Sequence, residues 1–505
     1  MLESRRPGAL APGPLSLMAA RRTLTDLIAP LAAAEVRGDA GARPDGLAYR
    51  ADLVAPGWLF FCVPGGRHDG HDFARDAVAA GATAVVVERW LDLPENVAQV
   101  LVPSVREAMG PIAAEFHGRP ADALRVVGIT GTNGKTTITY LLEGIFTAAG
   151  LTAGVVGTTG VRVAGRPAPQ SRTTPEAPDL HALFVEMVEA GIGAVAMEVS
   201  SHGLVQHRVG GVRFDCAVFT NLSQDHLDFH GTIEEYFRAK AMLFDPARSA
   251  AAAVNADVPE GRRLLRPDLP AVTYGLGDGA DLRATGVRVG ADGVWFEVDG
   301  VEIHSPLRGA FNVLNSLAAI AAARVLGIGL DDAARGLASV AAVPGRLEPV
   351  EAGQDFLVVV DYAHTPDSVE NVLRAARPLA DGGRVLVVLG CGGDRDRGKR
   401  PLMGEAATRL ADLTVVTSDN PRSEDPDEII AEIEPGAKRG GGAYVVEPDR
   451  RAAIRLVLAE AHPGDVVIVA GKGHETGQEL ADRTIPFDDR EVAREELAAL
   501  GRGAG

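Results

Sequence analysis

The 505-residue chain is predicted to fold as an α/β protein of three domains. Two observations support this prediction. Short, almost continuously apolar runs alternate with alanine-rich helical stretches, a pattern typical of parallel sheets covered by helices. At about 150 residues per domain, the length also allows roughly three hydrophobic cores. We therefore expect a small N-terminal α/β domain, a central α/β domain and a C-terminal Rossmann-like α/β domain.

The N-terminal region contains an extension and a first domain. Residues 1–20, which prolines and glycines interrupt, are expected to form a flexible extension. The first domain is assigned to residues 21–122, because strand-like runs at 59–63 and 82–87 flank a helical segment at 71–80.

The central domain is assigned to residues 123–343. A buried-strand pattern at 124–130 opens it, and similar apolar runs follow at 194–199 and 216–220. The alternating residues over 281–303, with Asp-Gly turns, predict a β-hairpin.

The C-terminal domain is assigned to residues 344–505, after the break at Pro344-Gly345. Helical stretches separate its strand-like runs, which predicts a doubly wound sheet that binds ligands at the carboxyl edge of its strands. The four predicted strands span residues 356–361, 384–390, 413–417 and 465–470.

Composition excludes several classes of protein. The chain is 46% hydrophobic with a formal net charge of −18, which indicates a globular protein and argues against nucleic acid or an anionic membrane as partner. No window approaches ~18 uncharged apolar residues, so no membrane insertion is predicted. Cys62, Cys216 and Cys391 lie far apart without metal-type spacing, so we expect a reducing, cytoplasmic location.

A glycine-rich motif follows the first strand of the central domain. Its residues are Gly131, Thr132, Asn133, Gly134, Lys135, Thr136 and Thr137. Backbone N–H groups of such a loop cradle phosphate, with Lys135 near the β/γ-phosphates and Thr136 near Mg²⁺. Ile129 stands where the usual motif has its first glycine, and a glycine turn with a surface lysine is the alternative. The strand–loop–helix context favours a P-loop ATPase domain.

Acidic and imidazole groups follow the next two strands. Glu198 ends a predicted strand beside the phosphate loop and is a candidate Mg²⁺ ligand, although it could instead cap a helix. Asp225 and His226 belong to a cluster that suits a second divalent cation or a hydrogen-bonded loop. Lys240 lies on a predicted helix, where a lysine is normally a solvated surface residue.

Residues farther along the chain could complete a nucleotide site. Asn312 and Asn315 could read an adenine edge or cap a helix. Arg346, after the predicted linker, could reach the γ-phosphate when domains close, or cap the linker. Asp361 ends a strand where an aspartate commonly meets ribose hydroxyls.

Three segments of mixed charge follow strands of the C-terminal sheet, at 392–397, 419–422 and 471–475. Because parallel strands end at one edge, the segments should converge there and suit a small zwitterion such as an amino acid. Each segment alone could be a glycine-rich turn or a solvated ion pair.

Five motifs together resemble the Mur ligase family of amide-forming, ATP-dependent enzymes over nearly the whole chain. They lie at 130–136, 197–204, 221–231, 361–366 and 419–422. The last, Asp-Asn-Pro-Arg, is similar to the signature of members that add meso-2,6-diaminopimelate. Its arginine would clamp the distal carboxylate of that amino acid.

The resemblance implies a monomeric ligase that uses ATP and Mg²⁺ in peptidoglycan precursor synthesis, and hence in cell wall biogenesis, cell shape and cell division. It would add meso-2,6-diaminopimelate to UDP-N-acetylmuramoyl-L-alanyl-D-glutamate through an acyl phosphate. By the same resemblance, residues 21–122 bind the UDP-sugar, 123–343 bind ATP, and 344–505 bind the amino acid.

The resemblance also implies site residues. ATP would contact Gly131, Thr132, Asn133, Gly134, Lys135, Thr136, Thr137, Asn312, Arg346 and Asp361. The implied catalytic residues are Lys135, Glu198, His226 and Lys240. One Mg²⁺ would bind Thr136 and Glu198, and a second His226 and an N-carboxylated Lys240. The dipeptide substrate would contact Thr173, Thr174, Ser200, Gln206 and Arg208. Diaminopimelate would contact Arg395, Asp419, Asn420, Pro421, Arg422, Gly471 and Glu475.

One departure and two alternatives stay open. Ala48-Tyr49-Arg50 replaces the Asp-Ser-Arg that the family usually carries, which leaves the uridine contacts undefined. A folylpolyglutamate synthase relative would share the phosphate loop, but the N-terminal domain and the 419–422 motif argue against it. A nucleotide-binding regulator is the second alternative, and the intact Lys135, Glu198, His226 and Lys240 argue against it.

Lysine is scarce in this chain. Of its 50 basic residues, 45 are arginine and five are lysine: Lys135, Lys240, Lys399, Lys438 and Lys472. Lys135 and Lys472 lie in the motifs above, and Lys240 and Lys399 follow them closely, whereas Lys438 lies apart from them. Lys399 has no assigned role. A compact, modifiable amine differs chemically from a guanidinium, so these positions are candidates for specific function.

Overall fold

The computed structural model describes residues 22–66, 68–168, 172–290, 292–380 and 382–502. The predicted extension at 1–20 lies outside them. Three mainly parallel sheets with covering helices succeed one another along the chain, which confirms the predicted α/β class. In the described part of the chain, none of the helices has the length and apolar character needed to cross a membrane.

The N-terminal sheet has the strand order β1-β5-β4-β3-β2, with β1 antiparallel to β5. Alternate residues face opposite sides, so Phe60 and Phe61 enter separate cores. Its strands are β1 (Glu35–Arg37), β2 (Leu47–Ala48), β3 (Leu59–Phe61), β4 (Ala84–Val87) and β5 (Ala98–Leu101). Its helices are α1 (Leu24–Ile28), α2 (Ala74–Ala79) and α3 (Val105–Phe116).

Within the ranges that the structure describes, the central sheet has nine strands in the order β14-β13-β12-β11-β6-β10-β7-β8-β9. They are β6 (Arg125–Thr130), β7 (Ala153–Gly157), β8 (Gly160–Val163), β9 (Arg166–Ala168), β10 (Ala194–Glu198), β11 (Cys216–Phe219), β12 (Ala252–Asn255), β13 (Ala271–Gly275) and β14 (Leu282–Arg283). β6 lies between β10 and β11, both parallel to it, so the three strands end at one edge.

Helices cover both faces of this sheet, and a small second sheet follows it. The helices are α4 (Lys135–Ala148), α5 (Ala177–Glu189), α6 (Ser201–Val205), α7 (Leu227–His230), α8 (Ile233–Ala241), α9 (Pro259–Arg262), α10 (Phe311–Val325) and α11 (Leu330–Ala338). The hairpin predicted over 281–303 is part of an antiparallel meander. Its strands are β15 (Thr285–Gly290), β16 (Gly293–Val298) and β17 (Val301–Ser305).

The C-terminal sheet has the order β18-β19-β23-β20-β21-β22, and it is parallel except for β18. Its strands are β18 (Glu348–Pro349), β19 (Leu357–Asp361), β20 (Val385–Cys391), β21 (Leu413–Ser418), β22 (Tyr444–Val446) and β23 (Val466–Ala470). A ribbon of β24 (Gly477–Glu479) and β25 (Thr484–Pro486) follows. All four predicted strands are present, and the two additional ones are short edge strands.

Among the described residues of this domain, five α-helices flank the sheet. They are α12 (Pro366–Ala376), α13 (Lys399–Leu410), α14 (Pro426–Gly440), α15 (Arg450–Glu460) and α16 (Asp489–Ala499). Local sequence sets their starts. Thr365 caps α12 in a capping box with Ser368, and Pro366 supplies the φ angle of a first helical residue.

A buried ion pair ties helices α15 and α16 to the carboxyl edge of this sheet. Arg450 and Asp489 are both fully buried, and Nε and Nη2 donate to the two carboxylate oxygens at 2.8 and 2.6 Å. The same guanidinium also donates to the carbonyls of Ser418 and Ala470, where β21 and β23 end. The pair therefore fixes the loops that follow those strands.

Substitution of Arg450 is expected to destabilise this domain. Arg450→Met leaves Asp489 charged and buried without its partner, a cost of about 3–5 kcal/mol. Its sequence neighbour Arg451 is exposed and pairs with Glu495 at the surface and with the largely buried Glu496, so Arg451→Met is the matched control. Thermal unfolding followed by circular dichroism should show an earlier transition for Arg450→Met alone. Equal melting of the two variants would contradict the structural role of the buried pair.

Candidate active site

The predicted phosphate loop connects β6 to α4, as the sequence indicates. Gly131 and Gly134 have φ angles of +147° and +88°, in the region that favours glycine. A Cβ at Gly131 would collide with Oγ1 of Thr220, and one at Gly134 with Oδ1 of Asn315. The glycines therefore permit both the turn and close packing, and the N-terminus of α4 is left facing the cavity.

Lys135 folds back over this loop. Its Nζ donates to the carbonyls of Gly131 at 3.0 Å and Thr132 at 2.8 Å. Burial lowers the pKa of the Lys135 ammonium, and the carboxylates of Glu198 and Asp225 oppose that shift. An anion bound in the loop would have the same effect as those carboxylates and favour the charged amine.

Glu198 ends β10 and is buried beside the loop. Its Oε1 accepts hydrogen bonds from Oγ1 of Thr136 at 2.9 Å and from the backbone N–H of Thr158 at 2.8 Å. A carboxylate next to a threonine hydroxyl is an oxygen set that fits Mg²⁺. Within the described ranges no three His, Cys, Asp or Glu side chains converge on a metal position, so phosphate oxygens and water would have to complete the shell.

His226 and Asp225 follow β11 on the opposite side of β6. His226 has a φ of +55°, and its backbone N–H donates to Oδ1 of Asp225 at 3.0 Å. Burial lowers the pKa of His226 to about 3, against the pull of Asp225. The imidazole is therefore neutral at physiological pH, which is the form that ligates a cation.

Lys240 is buried, which excludes the solvated surface alternative. It lies in the last turn of α8 with 1% of its surface exposed, and Nζ donates to the carbonyl of Gly131 at 2.8 Å. Nζ also lies 4.2 Å from the ring centre of Tyr236. Burial, with Lys135 nearby, lowers the pKa of Lys240 well below its ordinary value.

Residues of the C-terminal region reach the same loop. Nη2 of Arg346 donates to Oγ1 of Thr136 at 3.1 Å, and the guanidinium lies over the ring of Tyr362. Asp361, at the end of β19, accepts the backbone N–H of Leu347 at 2.7 Å. Burial raises the pKa of Asp361. Both predicted residues therefore line the same cavity as the predicted phosphate loop.

A cavity of about 480 Å³ lies between the central and C-terminal sheets. It contains six of the seven predicted phosphate-loop residues, together with Glu198, His226, Lys240, Arg346 and Asp361. The geometry thus unites motifs separated by more than 200 positions in the sequence.

The structure places Asn312 behind the cavity wall rather than in it. Its Nδ2 donates to the carbonyl of Arg308, and its Oδ1 accepts from Nδ2 of Asn315 at 2.8 Å. Asn315 lines the cavity with the apolar side chains of Phe311 and Leu314. Asn315 is therefore better placed than Asn312 to contact a nucleobase, and Asn312 orients the side-chain amide of Asn315.

The predicted dipeptide residues adjoin Glu198. Oγ1 of Thr174 donates to the Glu198 carbonyl at 2.9 Å and accepts the backbone N–H of Ser200 at 3.0 Å. Oγ1 of Thr173 lies 3.1 Å from that of Thr158. Thr173 and Ser200 both line the cavity, whereas Thr174 is buried behind them.

Arg208 belongs to a cluster of arginines around one buried carboxylate. Glu176 contacts Arg106 of α3, Arg172 and Arg208. Gln206 accepts a hydrogen bond from Arg208. Burial lowers the pKa of Arg208, and the neighbouring guanidiniums add to that effect. Three cations around one anion leave a net positive charge, which suits an anionic substrate.

The segment that departs from the family pattern joins two domains. The hydroxyl of Tyr49 donates to Oδ2 of Asp179, at the start of α5, at 2.6 Å. Arg50 pairs instead with Asp52 on the surface. The contact between Tyr49 and Asp179 could not be predicted from the sequence, because Asp179 lies in no recognisable motif.

Asn420 connects two of the three segments predicted to hold an amino acid. Its Nδ2 donates to Oε2 of Glu475 at 2.7 Å, and its Oδ1 accepts from Nζ of Lys472 at 2.9 Å. Burial raises the pKa of Glu475, and Asp419 adds to the shift. A Cβ at Gly471 would collide with Asp419, so glycine is needed there.

Arg422 and Arg395 extend this cluster toward solvent. Nη1 of Arg422 donates to the Gly393 carbonyl at 2.8 Å, and its Nε lies 2.6 Å from Glu479. Arg422 has a φ of +54°, and Pro421 packs against Gly393. Arg395 is exposed on the loop after β20. The predicted amino-acid residues thus gather at the carboxyl edge of the C-terminal sheet, outside the 480 Å³ cavity.

Three family models match the chain. Residues 45–117 match the "Mur ligase family, catalytic domain", 129–323 the "Mur ligase middle domain", and 345–473 the "Mur ligase, glutamate ligase domain".

Curated relatives and solved structures agree with these matches. Proteins named UDP-N-acetylmuramoyl-L-alanyl-D-glutamate--2,6-diaminopimelate ligase, from Geobacillus thermodenitrificans and Streptomyces avermitilis, are 49% and 47% identical. The alignments cover 90% and 94% of this chain, and 95% and 96% of the relatives. A solved structure of the same name is 33% identical with a TM-score of 0.67, covering 95% of this chain and 99% of that one.

A more distant structure shares the fold. Mycobacterium tuberculosis folylpolyglutamate synthase has a TM-score of 0.60 at 18% identity and covers 78% of this chain and 95% of that one. At this identity the likeness shows the fold alone. Taken with the site geometry, the domain matches and the relatives show that the chain belongs to the Mur ligase family.

Proposed function

We propose that this protein joins meso-2,6-diaminopimelate to the γ-carboxylate of D-glutamate in UDP-N-acetylmuramoyl-L-alanyl-D-glutamate, with conversion of ATP to ADP and phosphate. The observation that carries the proposal is the shared cavity in which Lys135 and Glu198 of the central domain face Arg346 and Asp361 of the C-terminal domain. The names of relatives 47–49% identical to the chain support this pair of substrates.

Each domain has its own part in this proposal. Residues 21–122 bind the UDP-sugar, 123–343 bind ATP, and 344–505 bind diaminopimelate. Three matched Mur ligase segments, at 45–117, 129–323 and 345–473, support the division. The protein acts as a monomer in the cytoplasm, and its three buried, free cysteines fit a reducing compartment.

The first step is phosphoryl transfer. An oxygen of the γ-carboxylate attacks the γ-phosphorus of ATP, ADP leaves, and an acyl phosphate forms. Lys135 and Arg346 are placed to neutralise charge on the transferred group, because both lie at the phosphate loop. The arginine cluster around Glu176 holds the anionic substrate in place.

The second step forms the amide. The free amine of diaminopimelate attacks the acyl carbon, and the tetrahedral intermediate loses phosphate. Asn420, Arg422 and Glu475 orient the amino acid from the C-terminal sheet. Closure of that domain on the central one, hinged near Pro344-Gly345, excludes the water that would hydrolyse the acyl phosphate.

The residues fit two Mg²⁺ ions. Thr136 and Glu198 would hold one, and His226 with an N-carboxylated Lys240 the other. Carboxylation requires an uncharged amine, and the buried Lys240 has a lowered pKa. When bound, Mg²⁺ supplies positive charge to the phosphoryl oxygens.

Omission of each substrate tests the activity. With ATP, Mg²⁺, the UDP-dipeptide and diaminopimelate, we expect phosphate and UDP-tripeptide in equal amounts, measured by a coupled phosphate assay and mass spectrometry. Removal of any one component, or chelation of Mg²⁺ by EDTA, should abolish both products. ATP binding without amine-dependent phosphate release would instead support the regulator. Equal turnover with L-lysine would contradict the assigned amino acid.

Arg422 should determine affinity for diaminopimelate. Arg422→Met removes a charged hydrogen-bond donor from the distal carboxylate, so we expect the KM for diaminopimelate to rise roughly 10- to 100-fold. The KM for ATP should stay within twofold. Arg439 pairs with Glu405 at the surface, which makes Arg439→Met the control. An unchanged KM for diaminopimelate in Arg422→Met would overturn this assignment.

A further inference from the structure

Lys399 forms a buried ion pair between two domains. It is the first residue of α13 in the C-terminal domain, and its Nζ lies 3.2 Å from Oδ1 of Asp225 in the central domain. Only 5% of Lys399 and 4% of Asp225 are exposed. Because burial of either charge alone is costly, the contact depends on both partners.

The position of Lys399 is unfavourable by local rules. A cation in the first turn of a helix faces the positive end of the helix dipole. Lysine is also rarely buried. In a chain with 45 arginines and five lysines, this site nevertheless keeps the smaller amine. The contacts that Lys399 makes must therefore favour a lysine at this position.

The pair connects the loop after β11 in the central domain with the loop after β20 in the C-terminal domain. Asp225 directly precedes His226, and its Oδ2 also lies 3.3 Å from His226 Nε2. Lys399 follows the loop that carries Arg395. A second contact joins the same loops, from Nε2 of Gln224 to Oδ2 of Asp396 at 3.3 Å.

Other contacts between these domains are of a different kind. Nδ2 of Asn133 donates to Asp367 at 2.7 Å, and His474 lies 3.2 Å from the carbonyl of Thr158. These contacts involve a neutral partner on one side or both. Lys399–Asp225 joins two buried, oppositely charged groups. Of these contacts it therefore loses the most interaction energy when the central and C-terminal domains move apart.

We propose that Lys399 is a positioning residue. Through Asp225 it holds the C-terminal domain against the loop after β11, which carries His226. Lys399 does not line the 480 Å³ cavity that would hold ATP, whereas Asp225 does. Closure desolvates both charges, and the ammonium reaches the carboxylate only over a narrow range of domain orientations. Arg395 and His226 are thereby set in fixed relation when ligation occurs. This inference rests on the proposed function.

The test compares Lys399→Met with Lys438→Met in the full-length protein. Lys438 is exposed on α14, where it pairs with Glu434, so it controls for loss of a lysine. For Lys399→Met we expect kcat/KM for diaminopimelate to fall at least ~30-fold, as for removal of one partner of a buried pair. Calorimetric affinity for a non-hydrolysable ATP analogue should change less than threefold. Lys438→Met should match the wild type.

Two further measurements separate positioning from a purely structural role. Asp225→Asn and the double variant Lys399→Met/Asp225→Asn should be equally slow, because Lys399 acts through Asp225. Small-angle scattering with the ATP analogue, Mg²⁺, UDP-dipeptide and diaminopimelate should give a larger radius of gyration for Lys399→Met than for the wild type. Multiplicative losses in the double variant, or equal radii, would overturn the proposal.

The melting temperatures of the variants and the wild type, measured without ligands, show whether each variant is folded. If Lys399→Met melts below the wild type, Lys399→Gln is measured with the same expected kinetics. Early melting of both variants would mean that Lys399 stabilises the fold, and the proposal would be wrong. Wild-type kinetics in Lys399→Met would also refute it. Absence of UDP-tripeptide from the wild type would instead refute the proposed function.

Discussion

The structure depends on holding ionisable groups out of water where the carboxyl edges of two parallel sheets meet. Lys135, Glu198, Asp225 and Lys240 all lie within or beside the phosphate loop. Each is stabilised by a partner supplied at a strand end or from the facing domain. The parallel arrangement is what makes this possible, because it brings every strand end of a sheet to the same side.

Much of this arrangement is predictable from the sequence. The four internal strands of the C-terminal sheet are long, apolar runs, and the phosphate loop has a strand before it and a helix after it. Edge strands β18 and β22 have only two and three residues and carry no such signal. Their position is set by pairing with a neighbour, which a local pattern does not encode.

The details of the site were less predictable. The sequence places Asn312 and Asn315 on one helix, but which amide enters the cavity depends on how α10 rotates against its neighbours. Tyr49 and Asp179 meet only because two domains pack together. The rarity of lysine in the chain does indicate which lysines have specific contacts. Lys240, Lys399 and Lys472 are buried, whereas Lys438, which lies in none of the motifs, is exposed. The net charge of −18 thus coexists with a few buried basic residues near the domain junction, Lys240 and Lys399 among them.

We propose that this junction activates a carboxylate by phosphorylation before an amine attacks it. Transfer of an oxygen isotope from the carboxylate to phosphate tests for this step. The D-glutamate γ-carboxylate of the UDP-dipeptide is labelled with ¹⁸O, and the released phosphate is examined by mass spectrometry. An acyl phosphate passes one carboxylate oxygen to phosphorus, so we predict one ¹⁸O in each phosphate formed with the UDP-tripeptide. Unlabelled phosphate accompanying the same tripeptide would exclude an acyl phosphate intermediate.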